Sequence, residues 1–145
     1  MFFTKLQPCL RITALLTGLL AAASASAEFV VIVGKGGPDA MTKEQVADVF
    51  LGKAASLPGG ASAAPQDQAD SSPLRDEFYT KITGKSAAQA KAYWSKLAFT
   101  GKGTPPPEAG NSAAVKKAVA GAPGGIGYIE KSAADATVKV VLTVN

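Results

Sequence analysis

Residues 29–33 read Phe-Val-Val-Ile-Val, five apolar residues in a row, four of them β-branched. Side chains stiff at χ1 favour a strand. The run is too short for a stable helix, and Gly34-Lys35-Gly36-Gly37-Pro38 stops it. A strand with one face in water alternates apolar with polar residues; this one has no polar side. Both of its faces must therefore be covered, which is the situation of a parallel or mixed sheet with packing layers above and below.

The rest of the chain supplies those layers. Thr42 with Gln45 makes a capping box, and Val46, Val49 and Phe50 fall on one face of the helix that follows, which closes at Gly52. Residues 54–65 are rich in Ala, Ser, Gly and Pro and predict a loop; 66–71 are polar. Ser72-Pro73 predicts a second helix start, with Leu74, Phe78 and Ile82 inward, Tyr79 beside them and Gly84 at the end. Ser86 and Gln89 open a third helix, with Ala90, Trp94, Leu97 and Ala98 as its buried stripe and Tyr93 at its flank. Pro105, Pro106 and Pro107 make 101–110 a loop. Asn111 or Ser112 caps a short helix carrying Val115 and Val119, and strands follow at 126–129 and 137–144. Strands alternating with helices give an α/β class, as a single small domain with a mixed sheet and flanking helices.

Ahead of the first strand lies an export signal. Lys5 and Arg11 precede an uncharged apolar stretch, Ile12 to Ala23, and Ala25-Ser26-Ala27 has the small-x-small form a signal peptidase reads. Residues 1–27 are expected to be a signal peptide cut after Ala27, with the working domain at 28–145 in the periplasm. The stretch is about 12 residues against roughly 20 needed to cross a bilayer, so no stable membrane anchor is expected. Cys9 lies before the apolar stretch, where a lipoprotein cysteine could not function.

Cleavage would remove Cys9, the only cysteine, and the chain has no histidine. That excludes disulfides, Cys or His nucleophiles, a Ser-His-Asp triad and the usual zinc sites. No catalytic residue, metal or cofactor is expected, and the acids are scattered. Loss of Lys5 and Arg11 takes the net charge from +4 to about +2, and no basic run or aromatic-basic face suggests nucleic acid. About 118 residues remain, enough for one modest core.

Two places could hold an anion. After the first strand, Gly34–Gly37 lacks the spacing of a Walker loop or a dinucleotide fingerprint. It reads either as a plain strand-to-helix turn or as a cluster of amides, with Lys35 and Gly36 facing an anion. At Asp70-Ser71-Ser72-Pro73-Leu74-Arg75, a helix start offers free amides and two hydroxyls to an oxyanion. Arg75 stands in the first turn, where the helix dipole disfavours a cation, and a bound anion would reverse that penalty. The alternative is a cap at Ser72 with Arg75 paired to Asp70 or a neighbouring acid. Phe78, Tyr79, Tyr93, Trp94 and Phe99, at helical spacing, read as core.

These residues carry a resemblance. Val46-Ala-Asp-Val-Phe-Leu-Gly-Lys53 and Pro123-Gly-Gly-Ile-Gly-Tyr-Ile129 resemble segments of the phosphate-type periplasmic substrate-binding proteins. The order Phe-Leu-Gly-Lys, Ser-Ser-Pro-Leu-Arg, Tyr-Trp-Ser, Phe-Thr-Gly-Lys-Gly and Gly-Gly-Ile-Gly-Tyr is similar to the short, exported proteins of the phosphate ABC transporter substrate-binding-like family, across essentially all of 28–145. The resemblance implies a periplasmic-binding-protein-like fold, no enzymatic activity, and Ser71 and Ser72 as contacts for a phosphate-like anion. It also implies an inner-membrane transporter or sensor as partner. The family's Ser-Gly-Thr is Ser71-Ser72-Pro73 here, and only Gly34 to Met41, without a serine, fills the place of another ligand segment. A ligand-free interaction or structural module of the same fold is the rival reading.

Overall fold

The computed structural model describes residues 28–145; the expected signal peptide lies outside them. Strand β1 (Phe29–Val33) is the second-to-last strand of a four-stranded sheet ordered β2-β5-β1-β6. It pairs antiparallel with β5 (Gly125–Glu130) and with β6 (Lys139–Val144), while β2 (Ala64–Pro65) joins β5 in parallel. The sheet is mixed, and all five β1 residues are buried.

Alternate residues of β1 serve two cores. Phe29, Val31 and Val33 face a larger core with Ile126 and Tyr128 of β5. That face is covered by α1 (Lys43–Phe50), α2 (Pro73–Phe78) and the π-helical turn Tyr79–Thr83 that continues α2. The Phe78 ring stacks on Tyr128 with centroids 3.9 Å apart, and Phe50 meets Phe78 edge-on at 4.7 Å. Burying one such ring contributes about 1.5–3 kcal/mol. On the other face Val30, Ile32 and Ile129 meet Val115 and Val119 of α4 (Ser112–Ala120). Here α4 lies so close to β5 that a Cβ on Gly127 would stand 2.5 Å from Val115 Cγ1. That contact explains the glycine inside a buried strand.

Both predicted capping boxes form, Thr42 with Gln45 and Ser86 with Gln89, the latter opening α3 (Ala87–Phe99). Four expectations need correction. The 54–65 loop ends in a strand, because Ala64 and Pro65 find the free edge of β5. The expected 101–110 loop holds a strand, β4 (Glu108–Gly110), which pairs with β3 (Asp67–Gln68) in the polar stretch 66–71. Ala98 is exposed. Phe99, expected in the core, is 94 % exposed, since it lies on the opposite side of α3 from Ala90 and Trp94.

Candidate functional site

The link Ala69-Asp70-Ser71-Ser72 joins β3 to α2, and a buried residue fixes its entry. The Gln68 amide group is held at every polar atom. Its Nε2 donates to Tyr128 O and to Ser112 Oγ, both at 3.1 Å, and its Oε1 accepts from Ser72 Oγ at 2.6 Å. Ser72 is therefore the N-cap position of α2 by backbone, with Pro73 at the first helical position, but its hydroxyl does not cap the helix. It clamps Gln68, and through Gln68 it is tied to Ser112 at the start of α4.

Asp67, beside Gln68, is 1 % exposed. Its carboxylate accepts from Tyr79 Oη at 2.7 Å, from Tyr128 Oη in a short hydrogen bond, and from the Gln68 amide at 2.8 Å. Burial pushes the Asp67 carboxyl above its ordinary range, and the two tyrosine hydroxyls and Arg75 only partly offset this. The same burial, with the negative charge of Asp67 next to them, drives the Tyr79 and Tyr128 phenols far above theirs.

Arg75 meets three carboxylates. Nη1 stands 2.7 Å from both Asp70 Oδ1 and Glu108 Oε1 and donates to Gln68 O at 3.2 Å, while Nη2 is 3.5 Å from Asp67 Oδ2. Burial alone would lower the Arg75 pKa; Glu108 and then Asp67 outweigh it and hold the guanidinium charged. Asp70 also accepts from Lys91 Nζ at 3.1 Å, which with Arg75 pulls its carboxyl below the ordinary range. Sequence reasoning left Arg75 open to an oxyanion; the structure spends it on acids, and it gathers acids that the sequence scattered. Among the described residues no group of His, Cys, Asp or Glu is arranged to hold a metal ion.

Two concavities flank this network. Ser71 and Ser72 line an open groove of about 580 Å³ together with Asn111, Ser112 and Glu130. The starts of α2 and α4 thus look into one space. The Asn111 side chain caps only Ala114 N, so the first amides of α4 keep no intrahelical acceptor. Arg75 lines the other concavity, with Trp94 and Pro105–Pro107.

Lys35 and Gly36 are elsewhere. Gly34 N donates to Gly125 O, at the opening end of β5, whereas the serine groove lies at Glu130, its closing end. Five strand residues separate the two, roughly 17 Å. The turn is tied by Lys139, whose Nζ donates to Gly37 O and Asp39, and not by Lys35, which is exposed. The structure therefore brings together Ser71 and Ser72, sets Arg75 behind them, and leaves Lys35 and Gly36 apart. Asp67, Gln68, Glu108 and Ser112 were missed in the sequence. The one signal that bears on them is Tyr128, a phenol in an otherwise apolar strand that needs a buried partner.

A mixed sheet with helices on both faces, built in this order, is the fold of the periplasmic binding proteins. Solved structures that share it include the following two. A protein assigned as a phosphate ABC transporter substrate-binding protein from Clostridium perfringens, solved with bound phosphate, is 27 % identical with a TM-score of 0.60 over 79 % of this chain and 45 % of its own. An ABC-type phosphate transport receptor from Vibrio cholerae is 16 % identical with a TM-score of 0.62 over 79 % of this chain and 46 % of its own; it bears on the fold alone. The chain spans less than half the length of either. It matches no protein-family model and no curated protein.

Proposed function

We propose that this chain is an exported, non-enzymatic solute-binding protein that takes phosphate or a similar oxyanion in the groove between the starts of α2 and α4. The observation that carries this reading is the convergence of two helix N-termini, with Ser71 and the Ser112 end of α4, on one open groove. Amides and partial positive charge at helix starts suit an oxyanion. Ser72 acts by holding Gln68, and Arg75 by anchoring the β3–α2 link, so both shape the groove. The neighbours, a substrate-binding protein and a transport receptor, support a binding role without catalysis. The leader at 1–27, cleavage after Ala27 and an inner-membrane transporter or sensor as partner belong to the same proposal.

Isothermal calorimetry on protein purified from the periplasmic fraction, titrated with phosphate and with sulfate, tests it. Binding that falls at least tenfold in Ser71→Ala or Ser72→Ala is expected. Absence of heat with both anions ends the ligand reading. An intact mass beginning at Glu28 is the result expected for the leader.

One observation favours a second reading, a ligand-free interaction or structural module. The strongest anion-binding group, the Arg75 guanidinium, is already neutralised by Asp67, Asp70 and Glu108. One stable protein partner recovered with no dependence on phosphate, alongside silent calorimetry, would select it.

A further inference from the structure

The buried side-chain amide of Gln68 can be oriented in one way only. It faces Tyr128 O at 3.1 Å, a carbonyl that accepts and never donates, so the atom turned to it must be Nε2. The second hydrogen of Nε2 then goes to Ser112 Oγ at 3.1 Å, and Oε1 is left to accept the hydroxyl hydrogen of Ser72 at 2.6 Å. One buried amide thereby sets the polarity of two hydroxyls that line the serine groove.

The two polarities are opposite. Ser112 Oγ accepts a second bond, from Glu130 N at 3.3 Å, so both of its lone pairs are engaged. Its hydrogen meets no acceptor among the described residues and is free to be donated to a ligand. Ser72 has the reverse arrangement: Gln68 holds its hydrogen, it caps no backbone amide, and its lone pairs stay open. The carboxylate lining the groove, Glu130, is exposed and in no ion pair among the described residues. While ionised it can only accept. The groove therefore offers a donor at Ser112 and acceptors at Ser72 and Glu130.

A bare oxyanion answers only part of that set. It takes the donor at Ser112 and meets Glu130 as a like charge. It is also far smaller than the groove, whose volume of about 580 Å³ lies within the range of sites for organic ligands, roughly 300–1,000 Å³. We infer that the ligand is a phosphate monoester of a small polyol. Its phosphoryl oxygens accept from Ser112, and its carbon-borne hydroxyls donate to Ser72 Oγ and to the Glu130 carboxylate. Gln68 acts through the two serines and is a positioning residue. The inference rests on the oxyanion reading of this groove and adds the class of ligand to it.

Calorimetry on the purified protein with inorganic phosphate, methyl phosphate and glycerophosphate tests it. Methyl phosphate has the monoester group and lacks the hydroxyls. Glycerophosphate should bind about tenfold or more tighter than methyl phosphate, the effect of a hydrogen bond to a charged group. Ser112→Ala should weaken all three ligands alike. Glu130→Gln, at an exposed position, should narrow the glycerophosphate preference to about threefold or less without weakening inorganic phosphate. Gln68→Glu turns the Ser112 hydrogen inward and should weaken all three, with no further loss when combined with Ser112→Ala. If the buried charge unfolds that variant by circular dichroism, Ser112→Ala and Glu130→Gln decide alone. Glycerophosphate no tighter than methyl phosphate, with heat from both, overturns the inference and leaves the oxyanion reading standing. A preference unmoved by Glu130→Gln also overturns it. Silence with all three ligands ends the oxyanion reading and this inference with it.

Discussion

Asp67→Ala isolates the network that positions the β3–α2 link. The substitution removes the acceptor of two phenol hydroxyls, Tyr79 Oη and Tyr128 Oη, on residues that are 1 % and 0 % exposed. Each buried donor left without a partner costs about 1–3 kcal/mol. Arg75 keeps Asp70, Glu108 and Gln68 O, so its charge is not orphaned and adds little. Part of the loss is returned, because the burial that raises the Asp67 pKa is itself a cost of keeping that carboxylate charged. The balance is about 3 kcal/mol, a large share of a typical total of 5–15. With a urea m-value of about 2 kcal/mol/M the unfolding midpoint should fall by about 1.5 M. Tyr128→Phe alone should cost roughly 1.5–3 kcal/mol, as a hydrogen bond to a charged group. In the Asp67→Ala background it should cost nothing or stabilise, because the hydroxyl no longer has a partner there. Urea curves for the two single variants and the double complete the cycle. A midpoint shift under about 0.3 M, or strictly additive losses, refutes the reasoning that these three side chains act as a unit.

Two further outcomes follow from the same geometry. Glu130 is the carboxylate lining the serine groove, so Glu130→Gln should tighten phosphate binding about two- to fivefold by removing a like charge, and calorimetry at low salt should register it. Tyr79 and Tyr128 have folded-state pKa values raised above that of a free phenol, by burial first and then by Asp67. The unfolded chain releases those protons near pH 10 while the native one retains them. Stability is thus intact below about pH 10 and lost as pH rises above it. Phenolate absorbance from these two residues should appear only together with loss of tertiary structure, and a phenolate signal from the folded state would contradict the placement.

Much of the frame could be read from the sequence because it rests on local rules. The β1 run is apolar at every position since α4 covers one face of it and α1 with α2 the other. The capping boxes at Thr42 and Ser86 are spacings of three residues, and the structure keeps both. Phe99 misled because helical spacing places residues on a face without saying whether anything covers that face. Ser72 was legible as a helix start, but its role was not. The sequence pattern that marks an N-cap does not depend on where the hydroxyl points, and here the nearest acceptor is the Gln68 amide oxygen, 2.6 Å away.

The site's inner layer was hidden for a reason that periodicity cannot reach. Asp67 and Gln68 sit in a stretch of polar residues, so composition reads them as solvated, yet they are 1 % and 2 % exposed. What buries them is remote in sequence: Tyr128 and Ser112 come from β5 and α4, and Glu108 from the strand paired with β3. A buried glutamine needs three or four partners, and burying it without them would cost several kcal/mol. That set can assemble only if β3, α4 and β5 are already in register. The same requirement makes the groove a consequence of the fold as a whole. Ser71 and Ser72 face the start of α4 because Gln68 bridges Ser72 to Ser112, so a change at Gln68 should open the distance between the two helix starts before it disturbs either helix.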